Sequence, residues 1–373
     1  MLNRRQFSVA TGAAALAGFQ FARAQGDVPI VLGQSAPFTG PAAQLGIQFY
    51  EGAKLFLDQY NAQSSRSVQI KFLDDGYEPD RCAENTKKLI DDDVFALFGY
   101  IGTPTSLAAL PLAVDAKVPF IAPFTGAMAL REPFRKNVFH LRASYNDETA
   151  LIVKQLTNLG LKKIAVFYQN DAYGKAGLDG VTLALSQLDL KPAALATVER
   201  NSVNVAAAVK TITAARPDAV VQVSAYKSCA AFIREARKSG YGGTFFNVSF
   251  VGTQALADEL GKDGAGVVVT QVVPSPYNAA NGITREFTEA VRKSNSKVQA
   301  NFSSQEGFLA AKVLVEGLRR APGKPSREGL IAGLEGIDRQ QFGGFEVSFS
   351  PRNHVASKFV ELSMITGDGR IRT

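Results

Sequence analysis

From Ile30 onward, short β-branched runs alternate with helical stretches, and this beat constrains the fold more than any other feature of the chain. Residues 30–32 read as a strand. A helix over 43–60 follows, with apolar positions Ile47, Phe49, Ala53, Leu55 and Leu57. Strands at 68–73, 95–98 and 120–122 then alternate with helices at 80–91 and 105–115. The pattern restarts after about residue 145, with helices at 148–159, 175–188, 205–215 and 229–239 and strands at 164–168, 219–223 and 244–248. Strands separated by helices of this length predict parallel sheets covered on both faces. Two such sets in one chain predict two doubly wound α/β lobes. The tail offers helices at 284–294, 304–320 and about 326–334 and a closing strand at 359–365, too little sheet for a third core. It is expected to be shared between the lobes through several crossovers and a hinge.

The first 25 residues have a different character. Arg4-Arg5-Gln6-Phe7 precedes an apolar run over 9–21 and an Ala22-Arg23-Ala24 exit, the layout of a cleavable twin-arginine export signal. The run falls short of the ~20 residues that span a bilayer, and no cysteine near the exit offers a lipid anchor. Removal near Ala24 would leave a periplasmic chain of about 349 residues, a length that favours two cores over one. Losing Arg4, Arg5 and Arg23 brings the 41 basic residues to 38 against 34 acidic ones. So mild an excess, with no basic block, argues against a nucleic-acid partner. No later stretch is apolar enough to insert in a membrane.

Doubly wound sheets bind ligands at the carboxyl ends of their strands, which singles out particular loops. Gly99-Tyr100-Ile101-Gly102-Thr103-Pro104-Thr105 joins a strand to a helix. Thr103 is expected as the helix N-cap and Pro104 as its first residue, an arrangement suited to an anion such as a carboxylate. Phe124-Thr125-Gly126 follows the next strand at the same edge. In the second set, Asp171-Ala172-Tyr173-Gly174, Ser224-Ala225-Tyr226 and Ser249-Phe250-Val251-Gly252 occupy equivalent places, and their aromatic residues either wall a ligand or pack one lobe on the other. No G-x-S-x-G elbow, P-loop or G-x-G-x-x-G occurs, and no activated nucleophile or acid–base pair is evident, so an enzyme is not expected. The two histidines, His140 and His354, and the two cysteines, Cys82 and Cys229, lack metal-ligand spacing. No metal or cofactor is expected, and the cysteines read as buried free thiols.

These loops, in this order, resemble the leucine/isoleucine/valine-binding proteins of ABC importers, which have the type I periplasmic binding protein fold. The matching stretches are 33–46 (GQSAPFTGPAAQLG), 73–75 with 78–79, 118–123 (VPFIAP), 170–174 (NDAYG) and 216–220 (RPDAV). The resemblance implies two doubly wound parallel-sheet lobes joined by a multi-strand hinge. The N-terminal lobe would comprise 26–143 plus about 276–350, and the C-terminal lobe 144–275 plus about 351–373. It further implies a carboxylate held at Thr103 and by Phe124–Gly126, an apolar wall at Leu45, and Tyr173 and Tyr226 lining the cleft. Tyr100, Thr105, Asp171, Ser249 and Phe250 complete the expected ligand-binding set. The glutamate that pairs with an α-ammonium in the family falls on Ser249, which leaves Asp171 as a substitute, and the family's N-lobe disulfide positions fall near Tyr77 and Gly102. The expected function is delivery of a small carboxylate, an aromatic or other organic acid or a branched-chain amino acid, to the membrane permease of an ABC importer by a monomeric binding protein. A ligand-sensing module of the same fold is the alternative.

Overall fold

The computed structural model describes residues 28–294 and 298–373; the expected export signal lies outside the described residues. The first lobe is built on a parallel sheet of β1 (Ile30–Ala36), β2 (Val68–Asp74), β3 (Ala96–Phe98), β4 (Phe120–Ile121) and β5 (Val138–Phe139) in the order β2-β1-β3-β4-β5. Helices α1 (Ala43–Asn61), α2 (Pro79–Asp91) and α3 (Thr103–Asp115) make its crossovers. The chain then passes into α4 (Tyr145–Asn158), β6 (Ile164–Gln169), α5 (Ala172–Ser186), β7 (Leu195–Val198), α6 (Ala206–Ala214), β8 (Ala219–Val223), α7 (Tyr226–Lys238), β9 (Thr244–Asn247), α8 (Thr253–Leu260) and β10 (Val268–Gln271). Strands β7-β6-β8-β9-β10 repeat the winding of the first sheet. All five residues of β8, Ala-Val-Val-Gln-Val, are buried, as expected of a strand covered on both faces.

The tail divides. Helices α9 (Gly282–Lys293), α10 (Phe302–Arg320) and α11 (Arg327–Glu335) return to the first lobe, where α10 lies along α1. A hairpin of β11 (Gln340–Phe342) and β12 (Phe345–Val347) follows. Strands β13 (Glu361–Ile365) and β14 (Ile371–Arg372) then extend the second sheet beyond β10, β13 antiparallel to β10 and β14 antiparallel to β13. The first and last crossovers run side by side: the His140 amide donates to the His354 carbonyl and the Ala356 amide to the His140 carbonyl, both at 2.8 Å. Both histidines are buried in this hinge. Cys82 and Cys229 are buried free thiols. No helix among the described residues is long and apolar enough to cross a membrane.

Some elements depart from the sequence expectation for local reasons. Helix α4 starts at Tyr145 rather than 148 because Ser144 and Asp147 form a reciprocal capping box. The edge strand β7 alternates exposed with partly buried residues and β10 sits in a longer apolar run, so neither stood out. In each sheet the winding direction reverses once, between β1 and β3 and between β6 and β8, and the strand-end loops of both sheets face the cleft between the lobes.

The pairing of α10 with α1 depends on two glycines. A methyl group at Gly307 would lie 2.0 Å from the Phe49 carbonyl oxygen, and one at Gly52 would lie 1.8 Å from the Ser304 carbonyl oxygen. Backbone on both sides leaves nothing able to rotate away. Gly307→Ala should therefore destabilise the protein by about 2–3 kcal/mol despite the better helix propensity of alanine, as urea unfolding would measure. Unchanged stability would mean that the helices separate at little cost.

Candidate functional site

The first-lobe wall is set by Gly102. Its φ of 98° lets the chain turn from the β3 loop into α3, so Gly102 rather than Thr103 is the N-cap, and Thr103 is the first helical residue. The Gly102 amide donates to the Phe124 carbonyl at 3.2 Å and the Phe124 amide to the Tyr100 carbonyl at 2.7 Å, which clamps the two loops together. The Thr103 and Thr125 hydroxyls consequently meet at 2.7 Å, and no side chain caps the α3 N-terminus. The Tyr77 ring covers Gly102, with Cε2 2.3 Å from where a Cβ would stand, so the two positions that match the family's disulfide, which this chain lacks, are in contact through an aromatic ring. Tyr100 and Thr105 are not brought to this cluster. Tyr100 packs edge-on against Phe120 and shares a hydrogen bond with the Thr86 hydroxyl, and the Thr105 hydroxyl donates back to the Ile101 carbonyl.

On the second-lobe wall, Asp171 caps α5, accepting from the Tyr173 amide at 2.9 Å. Its other oxygen takes Gln169 Nε2 at 2.6 Å and Arg200 at 3.4 Å. The Asp171 carboxylate is thus already a helix cap and an ion-pair partner. Phe250 reaches across the cleft, its ring centroid 4.5 Å from Tyr173, 5.8 Å from Phe124 and 5.9 Å from Tyr77. Gln169 Nε2 donates to the Tyr77 hydroxyl at 3.3 Å, and Arg200 and Asn201 reach Glu78 at 2.9 and 2.7 Å. Leu45 packs against Gly252, and the Tyr226 phenol lies against the Gln44 backbone. These cross-lobe contacts belong to a closed cleft.

Beneath the aromatic residues lies a buried charge network that local sequence could not reveal. Arg142, in the first crossover, grips Glu306 of α10 with two bonds of 2.8 and 2.7 Å, and its remaining arm donates to the Ser249 hydroxyl at 3.2 Å. Its guanidinium carbon stands 3.9 Å from the Phe124 ring centroid. Ser249 passes the chain on: its amide and hydroxyl donate to the two oxygens of Glu148 at 2.7 and 3.0 Å, and the Thr270 hydroxyl also donates there. A carboxylate thus stands beside Ser249, supplied by α4 and already served by three donors. Burial pushes the Glu148 carboxyl up, while Arg142 and those donors pull it back. Burial alone would lower the Arg142 guanidinium; Glu306 beside it reverses the shift and holds it protonated. A second buried guanidinium, Arg131, donates to the Arg142 and Ala143 carbonyls at 2.8 and 3.1 Å. Of the two carboxylates, only Glu306 is held in a direct ion pair, with Arg142; Glu148 is held by neutral donors. No group of three or more His, Cys, Asp or Glu among the described residues could hold a metal.

Removing Arg142 leaves two buried carboxylates without their cation, which should cost about 3–5 kcal/mol. Arg142→Met should show that loss in urea unfolding at pH 7, and adding Glu306→Leu should recover part of it. In the single variant the Glu148 carboxyl, already raised, rises further. Its native form then takes up a proton as pH falls while the unfolded chain does not, so the deficit should narrow from pH 7 to about pH 5. A deficit independent of pH would place the cost elsewhere than in stranded charge.

Comparison with known proteins fits this geometry. A model of the periplasmic binding protein family matches residues 29–369. The chain is 24% identical over 335 residues to the Leu/Ile/Val-binding protein homolog 7 of Brucella abortus, covering 83% of this chain and 82% of that protein. Among solved structures, it is similar to a possible leucine/isoleucine/valine-binding protein from Rhodopirellula baltica, with a TM-score of 0.88 and 34% identity over 93% of this chain and 96% of that one. It is also similar to a substrate-binding periplasmic protein from Ralstonia solanacearum, with a TM-score of 0.87 and 30% identity over 92% and 99% of the two chains.

Proposed function

The chain belongs to the periplasmic binding protein family, and from that premise we propose that it captures a small carboxylate-bearing solute between its lobes and delivers it to the permease of an ABC importer. One observation carries the carboxylate: the paired hydroxyls of Thr103 and Thr125 stand 2.7 Å apart at the uncapped N-terminus of α3. Amide N–H groups at a helix start, aided by the helix dipole, favour an anion, and neutral hydroxyls add donors without a fixed counter-charge. The twin-arginine segment at the N-terminus supports export to the periplasm, where such a protein works. The protein acts as a monomer that closes on its ligand by hinge motion about the paired crossovers.

The ligand is an organic acid, aromatic or aliphatic, in preference to a branched-chain amino acid. Glu306 is paired with Arg142, and Glu148 is already engaged by three donors from Ser249 and Thr270, which weakens its pull on an ammonium. An ammonium buried without a partner is costly. The phenyl faces of Phe124 and Phe250 suit the organic part of such an acid.

The test is a thermal-shift screen of the mature protein against monocarboxylic acids, dicarboxylic acids and amino acids, followed by calorimetry on Thr103→Val. A ligand at a hundred times its dissociation constant adds about 2.7 kcal/mol of stability. The valine variant keeps the side-chain shape and removes one charge-assisted hydrogen bond, so it should bind the acid weaker by about 1.5–3 kcal/mol. A stabilising ligand without a carboxylate, or unchanged affinity in the variant, would overturn the assignment.

A further inference from the structure

Two tyrosine hydroxyls in the cleft have no hydrogen-bond partner. Tyr145 opens α4 and Tyr173 lies in the first turn of α5; both are buried, at 1% and 0% exposure, and neither hydroxyl is bonded. A buried phenol left unpaired costs about 1–3 kcal/mol, so two in one place need an explanation. Their ring centroids lie 5.5 Å apart, and the Tyr173 ring packs at a tilt of 56° against Phe250, with centroids 4.5 Å apart. The Tyr145 amide donates to the Gly126 carbonyl at 2.8 Å, which ties this tyrosine to the loop that carries Thr125. The Thr125 hydroxyl is near enough to act on the Tyr145 phenol without completing a bond of normal geometry, and Tyr145 and Glu148 both act on the Tyr173 phenol. Burial pushes Tyr145 up to about 12 and Tyr173 well above the ordinary value, so both are neutral O–H donors.

We propose that the Tyr145 and Tyr173 hydroxyls form a donor pair for an oxygen on the carbon next to the ligand's carboxylate, making 2-oxo and 2-hydroxy acids the ligand class. This rests on the reading that Thr103 and Thr125 hold the carboxylate. The Tyr145 phenol lies beside Thr125, so the oxygen it serves is one or two bonds from the carboxyl carbon. An acceptor there satisfies both phenols. An ammonium could donate to the neutral phenol oxygens, but neither phenol would offset its charge, and the nearby Glu148 is already engaged by Ser249 and Thr270.

The experiment is calorimetry on the mature chain with three matched skeletons: propanoate, pyruvate and lactate; 4-methylpentanoate with its 2-oxo and 2-hydroxy forms; and phenylacetate, phenylglyoxylate and mandelate. In every skeleton that binds, an oxygenated form should bind about tenfold tighter or more than its parent. Tyr145→Phe and Tyr173→Phe should each shrink that ratio severalfold towards one. The ratio is the readout, because a packing defect would weaken parent and oxygenated acids alike. Equal binding of parent and oxygenated acids, or an undiminished ratio in both variants, overturns the proposal even if Thr103→Val weakens every acid. Absence of binding by every acid overturns the carboxylate reading and this proposal with it.

Discussion

Arg142 is the side chain on which the arrangement of the cleft depends. It leaves the first lobe in a crossover, holds a carboxylate of α10 from that lobe with two bonds, and turns its third arm to Ser249 at the end of β9 in the other. A guanidinium wholly removed from water is tolerable only if its donors find acceptors. Glu306 and Ser249 meet that demand from opposite lobes, and Phe124 covers its face. The geometry that keeps Arg142 stable also fixes the Phe124 loop and the Ser249 strand end relative to each other, which positions both walls of the cleft.

The network also determines what the cleft lacks. Glu148 stands near enough to Ser249 to present a negative charge, yet its oxygens accept from the Ser249 amide, the Ser249 hydroxyl and Thr270. The α5 carboxylate, Asp171, is held as a cap and by Gln169 and Arg200. Among the buried polar atoms left without partners are the hydroxyls of Tyr145, Tyr173 and Ser224. This contrast between carboxylates already engaged and phenol hydroxyls left unbonded supports the proposed ligand, an acid with further oxygen.

Much of this architecture was legible in the sequence, because the β/α beat fixes which loops stand at the strand ends. Thr103, Phe124, Thr125, Tyr173, Ser249 and Phe250 were singled out from that rule and the family resemblance; the structure joins Thr103 to Thr125 and packs Phe250 against Phe124 and Tyr173. Tyr100 and Thr105 lie in the right loop, but the rule gives a loop's place and not the direction of each side chain; Tyr100 turns to Thr86 and Thr105 to its own helix. Arg142, Glu148 and Glu306 carried no local signal. Their partners are 164, 107, 101 and 122 residues away, and nothing in a single chain's pattern pairs positions so distant. The start of α4 at Tyr145 did carry a local signal, the capping-box spacing of Ser144 and Asp147.

The central claim is that the cleft holds a carboxylate and has no place for an ammonium. Calorimetric titration of leucine, phenylalanine and alanine against their deaminated acids tests it directly. The account predicts that, in each pair that binds, the acid binds at least about a hundredfold tighter, reflecting the cost of an ammonium buried without a partner. An amino acid that binds as tightly as its deaminated form, or tighter, would contradict it and show that Glu148 or another buried carboxylate serves the ligand's ammonium.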